Sequence, residues 1–380
     1  MTYLLIFIVI TCNLLILPNK NNFFVKALVY EEYSKDNDFS KILKIKDIPE
    51  PKPRPNEVVF KVNTTALNYD DIWGMRGSPI EVPMPHISGT DAAGEVVAVG
   101  EDVTTVKIGD RVVSHGNISC RICIDCTDGR EFDCKYRQVW GFQTGPLWGG
   151  YCEYTHLPEV NVAKIPNGVS YEQAAAASMV LVTAWHMLVG RAKIKPGQTV
   201  LIMGGGSGIG TFGIQIAKLY DCDVITTASP SKLDDCLKLG ADYAVDHRKE
   251  DWHKEVFGIT KELAKKKKTT PGLDLIFEHI GGSHWNKELT LLKYGATLVT
   301  TGATTGYETN TDLRHIFFKG TNILGATQGT RKELGDGLYW MSKGKIKSVI
   351  DSTYTFESAS EAHAKMLKGN IFGKILMKPS

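Results

Sequence analysis

The sequence lacks an excess of charge of either sign. Its 44 basic and 42 acidic residues leave a formal net charge of +2, so no global field draws it to nucleic acid or to an anionic membrane. It also lacks the composition of a disordered chain: 43% of its 380 residues are hydrophobic and 23% are charged, enough for two domains with sizeable cores. No internal repeat is visible. A disulfide framework is missing too, because four of the eight cysteines crowd into one short stretch while Cys12, Cys152, Cys222 and Cys236 are scattered. That pattern suits a reducing, cytoplasmic compartment and a metal site. The partner these absences leave is a small molecule.

The apolar run MTYLLIFIVITCNLLIL at residues 1–17 lacks a basic flank and a small-residue cleavage site. It also falls short of the roughly 20 residues a spanning helix needs. Val25 to Tyr30 then begins a first strand, and Val can be encoded by an alternative start codon. Residues 1–24 are therefore expected to be a non-core extension, with a targeting segment as the alternative.

Beyond it, short strands broken by Gly and Pro, such as Val58 to Val62 and Gly94 to Gly100, predict a mostly β domain. From Pro196 the texture changes. Strands at Thr199 to Met203, Val224 to Thr227, Leu273 to Phe277, Thr297 to Thr301 and Asn322 to Leu324 are interleaved with helical stretches such as Gly208 to Tyr220 and Ser231 to Leu239. This alternation predicts an α/β, doubly wound parallel sheet. The run Lys265 to Lys268 reads as a solvated helix end, and Phe372 to Met377 as a closing strand that returns to the first domain.

Cys120, Cys123, Cys126 and Cys134 are spaced to place four thiolates around one tetrahedral ion. Four sulfur ligands leave no open position, so one structural zinc is expected and its metal does no chemistry. An iron–sulfur cluster or a pair of disulfides is the alternative. The cysteine run lies between Lys107-Ile108-Gly109-Asp110-Arg111-Val112 and Gly149-Gly150-Tyr151-Cys152-Glu153-Tyr154. In this arrangement the chain resembles the zinc-containing medium-chain dehydrogenase/reductase superfamily from about Lys26 to Lys378. The resemblance implies a GroES-like catalytic domain over 25–179 with its zinc lobe at 120–134, a Rossmann NADP-binding domain over 180–326, and a return to the first domain over 327–380. It also implies a homo-oligomer, a dimer or homotetramer, in which strands near Asn322 to Leu324 pair edge to edge.

Alcohol dehydrogenases of this superfamily hold a second, catalytic zinc. The positions matching its ligands are Asn68, Thr90 and about Met179, none of which is a normal zinc ligand, so a Lewis acid for alcohol oxidation is not expected. A lone His86 nearby reads as structural.

The turn Gly204-Gly205-Gly206-Ser207-Gly208-Ile209-Gly210 joins an apolar strand to a helix and suits a pyrophosphate at the helix N-terminus. Its spacing departs from G-x-G-x-x-G, since Ser207 takes the middle place. At the end of the second strand Ala228 stands where NAD-binding relatives have Asp, and Ser229, Ser231 and Lys232 are suited to a 2′-phosphate. NADPH is the expected cofactor.

Several stretches resemble the crotonyl-CoA carboxylase/reductases and the archaeal acryloyl-CoA or enoyl-CoA reductases: Asn68-Tyr69, Val139 to Thr144, Ile276 to His279, and Thr304 to Tyr307. In the carboxylating members an Asn, a Phe, a Glu and a His hold carbon dioxide. The matching positions here are Asn68, Phe142, Gln143 and His279, with Gln143 a departure. Tyr69 is a further candidate proton donor. The plainer readings are a turn cap for Asn68, core packing for Phe142 and Tyr69, a loop surface for Gln143 and a satisfied strand-end histidine for His279. The reaction expected is NADPH-dependent reduction of a short acyl-CoA substrate, a 2-enoyl-CoA, without appreciable carboxylation. Reduction of a quinone or enone, or a non-catalytic NADPH-binding role, remains open.

Overall fold

Strands buried on both faces read as near-continuous apolar runs, and the runs after Pro196 are mostly apolar. In the computed structural model, which describes residues 23–379, six of them form one sheet. Their spatial order is Tyr243–Asp246, Asp223–Ala228, Thr199–Ile202, Leu273–Glu278, Leu292–Thr300 and Asn322–Gly325. All neighbouring pairs are parallel, the order of a doubly wound nucleotide-binding sheet. The period of two sorts the side chains. Val200, Ile202, Leu275 and Phe277 enter one core with the helix Gly208–Leu219, while Leu201, Met203 and Ile276 enter the other with Trp252 and Val256 of the helix Trp252–Lys267. The strand Tyr243–Asp246 was not expected, because Tyr243-Ala244-Val245-Asp246 is not a continuous apolar run.

The first domain is built on a sheet in which Lys374–Lys378 lies between Ile350–Thr355 and Glu57–Ala66, followed by Asp91–Val99, Arg111–Ser114 and Val162–Lys164. The strand Lys374–Lys378, against the expected Phe372 to Met377, sets Leu376 opposite Ala66 and Met377 opposite Thr65. The first strand is Phe24–Val29, one residue earlier than Val25, paired with Lys44–Pro49. The rest of the expected extension, residues 1–22, lies outside the described residues.

The helix Tyr171–Trp185 runs through the expected boundary at residues 179 and 180. Ser170 caps it by accepting from the Gln173 N–H at 3.2 Å. Its buried Ala174 to Ala177 bring it close to the strands Glu57–Ala66 and Asp91–Val99 on one side and the helix Gly208–Leu219 on the other. Among the described residues, the segment Tyr171–Arg191 is the only helix long and apolar enough to cross a membrane, and 78% of its apolar window is buried inside the protein.

Candidate active site

A cleft of about 520 Å³ opens at the carboxyl ends of Thr199–Ile202 and Leu273–Glu278 and is closed below by the first domain. One wall is the glycine-rich turn. Ser207 caps the helix Gly208–Leu219 by accepting from the Gly210 N–H at 2.9 Å. A Cβ at Gly210 would lie 2.3 Å from the Gly204 carbonyl oxygen, so only glycine lets the turn fold this tightly against the helix. The helix N-terminus is thereby turned toward the cleft, a place suited to an anion.

Gly206, Ser207, Gly208 and Ile209 line the cleft, whereas Gly205 and Gly210 are buried behind it. Ser229 and Lys232 line the far end, and Ser231 lies outside, exposed. The Lys232 ammonium donates to the Gly369 carbonyl at 2.8 Å, and burial holds its pKa below the usual lysine value. His247, at the end of the unexpected strand, joins them; no residue pattern had marked it.

At the reacting end the structure brings Asn68, Tyr69 and His279 to the same cleft. His279 Nε2 lies 2.9 Å from the Met203 carbonyl and 3.3 Å from Ser207 Oγ. Burial lowers its pKa, opposed by the Glu278 charge, so the ring is neutral with the proton on Nε2. Tyr69 packs edge-on against Trp73 at 5.6 Å. Phe142 and Gln143 are not brought to the cleft. Phe142 is 6% exposed within the first-domain core, and Gln143 Oε1 accepts from the Val139 N–H at 2.9 Å, folded onto its own turn. His86 is tied to the Pro83 and Gly141 carbonyls and is structural.

Two residues of the cleft floor escaped the sequence reading, Asp91 and Lys374. Of the three positions that match zinc ligands, two meet on one carboxylate and the third bonds another. Asp91 accepts from Asn68 Nδ2 at 2.9 Å and from the Met179 N–H at 2.8 Å, while Thr90 Oγ1 donates to Asp70 at 3.1 Å. Lys374, 306 residues from Asn68, sends its ammonium to Asn68 Oδ1 at 2.6 Å and to Asp91 at 3.1 Å. Asn68 sits at the N-cap of the helix Tyr69–Arg76, yet Asp71 supplies the cap bond back to the Asn68 N–H at 2.8 Å. Burial pushes Asp71 well above the usual carboxylate range, as does the charge of Asp70. Asp70 is pushed up to about 6 by burial and then by Asp91. Asp91 directly follows Thr90 in the chain, but nothing in the sequence linked it to Lys374.

On the other side of the first domain the sulfurs of Cys120, Cys123, Cys126 and Cys134 lie within 4.8 Å of one another. Cys120 is 4.0 Å from Cys126 and 3.6 Å from Cys134, close to the roughly 3.8 Å sulfur separation around a tetrahedral zinc. The backbone amides of Ile122 and Cys123 lower the Cys120 thiol to about 6, as a thiolate ligand needs. The lobe is tied down by Glu131, which accepts from the Arg331 N–H at 3.1 Å.

A parallel sheet with a phosphate-type turn, facing a second domain across a cleft, defines a two-domain oxidoreductase. A family model described as the alcohol dehydrogenase GroES-like domain matches residues 54–167, and one described as a zinc-binding dehydrogenase matches residues 208–343. The crotonyl-CoA reductase of Streptomyces avermitilis is 27% identical over 383 residues, covering 91% of this chain and 84% of that protein. An alcohol dehydrogenase of Geobacillus stearothermophilus is 32% identical over 355 residues, covering 90% and 97%. A solved NAD-dependent alcohol dehydrogenase has a TM-score of 0.85 at 34% identity and covers 93% of this chain and 99% of its own. The chain belongs to the medium-chain dehydrogenase/reductase superfamily.

Proposed function

We propose that this oxidoreductase uses NADPH to reduce a short 2-enoyl-CoA, such as crotonyl-CoA or acryloyl-CoA, and protonates the product without appreciable carboxylation. The observation that carries the reading is the chemistry of the cleft floor. An amide, an ammonium and a carboxylate replace a metal-ligand set there, so the acceptor has to spread the charge that a hydride brings. A conjugated thioester does so, because its electrons move to the carbonyl oxygen. The likeness to alcohol dehydrogenases supports the fold, while Asn68, Thr90 and Met179 do not supply their zinc ligands. The likeness to a crotonyl-CoA reductase supports the acceptor class.

Bound NADPH would supply the hydride to the β-carbon. The helix N-terminus at Ser207 and Gly208 would bind its pyrophosphate, and Ser229 with Lys232 its 2′-phosphate. Neutral His279 would border the nicotinamide end of the cleft, and Tyr69 is the candidate to give a proton to the α-carbon. Neither Phe142 nor Gln143 lines this cleft, which supports protonation over carbon dioxide capture. The four cysteines would hold one structural zinc. The strand Asn322–Gly325, with one lateral face unpaired among the described residues, would join a second copy in a dimer or homotetramer.

The test is NADPH oxidation with crotonyl-CoA, acryloyl-CoA and a benzoquinone, with product analysis in saturating bicarbonate and carbonic anhydrase. Saturated acyl-CoA as the main product is expected. Faster turnover of the quinone would replace the reading with quinone or enone reduction, and ethylmalonyl-CoA or methylmalonyl-CoA would overturn the carboxylation part alone.

A further inference from the structure

The floor of the cleft holds a buried charge pair that the reaction as described so far does not use. Lys374 is 4% exposed and Asp91 is fully buried. The three ammonium N–H donors of Lys374 meet three acceptors: the Leu67 carbonyl at 2.5 Å, Asn68 Oδ1 at 2.6 Å and Asp91 Oδ2 at 3.1 Å. This arrangement fixes which way the Asn68 carboxamide points. Turned over, it would press its NH2 against an ammonium and its oxygen against a carboxylate. In the observed orientation one Nδ2 hydrogen goes to Asp91. The second has no partner among the described residues, and Asn68 lines the cleft.

The pair also spans the two halves of the site. Gly373, the residue before Lys374, donates its N–H to the Gly206 carbonyl of the glycine-rich turn at 3.0 Å. The Lys374 stem lies so close to that turn that a Cβ on Gly208 would come within 2.7 Å of Lys374 Cδ. Lys374 itself lies on the closing strand of the first-domain sheet, where its ammonium meets Asn68. One side chain therefore ties the cofactor wall to the acceptor wall.

We propose that Lys374 and Asp91 are positioning residues that aim the free N–H of Asn68 at the acceptor's carbonyl oxygen, where negative charge gathers as hydride adds. Lys374 has no proton left to give. Its part is to hold the amide in the donating orientation. A buried pair of this kind costs desolvation energy, and a preoriented donor aimed at developing charge is what offsets that cost in function. The proposal rests on the reading that a carbonyl compound is reduced, but not on the thioester.

The test is a double-mutant cycle on kcat at saturating NADPH, using whichever acceptor the parent enzyme turns over best. If that acceptor is a quinone, the enoyl-CoA reading fails while the cycle is still run. Asn68→Ala and Lys374→Met are each expected to lower kcat by about a hundredfold, the size of losing one oxyanion donor. Together they should lower it by no more than about threefold beyond either alone, because Lys374 acts through Asn68. Nicotinamide fluorescence should give an NADPH Kd within about twofold of the parent. Additive losses in the double variant would overturn the proposal. So would a raised NADPH Kd with kcat unchanged at saturation, which would make Lys374 a phosphate ligand. If Lys374→Met does not fold, Asp91→Asn, which keeps shape and removes charge, is run through the same cycle with the same two criteria.

Discussion

The cysteine lobe and the cleft floor answer one problem, how to neutralise clustered negative groups, in opposite ways. In the lobe four thiols face one another within 4.8 Å, and none of them is joined in a disulfide. Ionised, they would need an ion from outside. At the cleft floor Asp91 meets Lys374, a cation that the chain carries itself, and the neighbouring Asp70 and Asp71 are held toward their neutral forms by burial. On the proposed reading the lobe would depend on metal for its structure, whereas the cleft carries its own counter-charge on Lys374. Metal supply should govern the stability of this protein and leave its chemistry alone.

The largest effect is expected at the lobe. Elemental analysis should find one zinc per chain, and Cys123→Ser should lose it. Removing a structural zinc forfeits binding energy that is folding energy; about 5 kcal/mol, or roughly 10–20 °C in Tm, is expected. Steady-state rates below the new Tm should stay within about twofold per folded molecule. Two zincs per chain, or activity that disappears with the metal while the fold persists, would break the comparison at its root.

A middle-sized effect tests whether side-chain charge also governs the cofactor end. Lys232→Ala should lower kcat/KM for NADPH by about 10–100-fold, the worth of one charge-assisted bond to phosphate, and change the value for NADH by less than about twofold. Equal losses with both cofactors in initial-rate assays would mean that Lys232 only braces the loop through its bond to Gly369.

How far the sequence carries differs between these regions for a physical reason. The lobe is local: four ligands within 15 residues fix their own geometry, so the spacing alone was enough. The parallel sheet was legible because strands buried on both faces write continuous apolar runs, and only the short Tyr243–Asp246 was missed. The cleft floor is non-local. Lys374 looked like one more residue of a closing strand, and only the pairing of Leu376 with Ala66 sets it beside Asn68. Resemblance placed Phe142 and Gln143 beside His279, but Phe142 packs into the first-domain core and Gln143 bonds back onto its own turn at Val139. Spacing along the chain does not encode that.

The smallest expected effect probes how finely the floor's charge is balanced. Asp70 is buried, its Oδ1 has no hydrogen-bond partner among the described residues, and its pKa is pushed up from 3.8 to about 6 by burial and by Asp91. For an acid with a raised folded pKa, both states are protonated below pH 3.8 and no penalty exists. As pH rises from 3.8 to about 6 the unfolded chain releases its proton first, so stability falls across that window and stays lowered above it. The two-unit shift sets an upper limit of about 3 kcal/mol. Asp70→Asn removes the titration while an amide oxygen can still accept from Thr90. It leaves an amide NH2 to be accommodated, and Asp71 still resists ionisation by burial, so the net change should be nearer about 1 kcal/mol. The prediction concerns the slope: the Tm of Asp70→Asn minus that of the parent should rise between pH 4.5 and pH 7. A difference that is flat or falls across that range would mean that Lys374 neutralises all three acids together, and that the floor has one net balance and not separate buried protons.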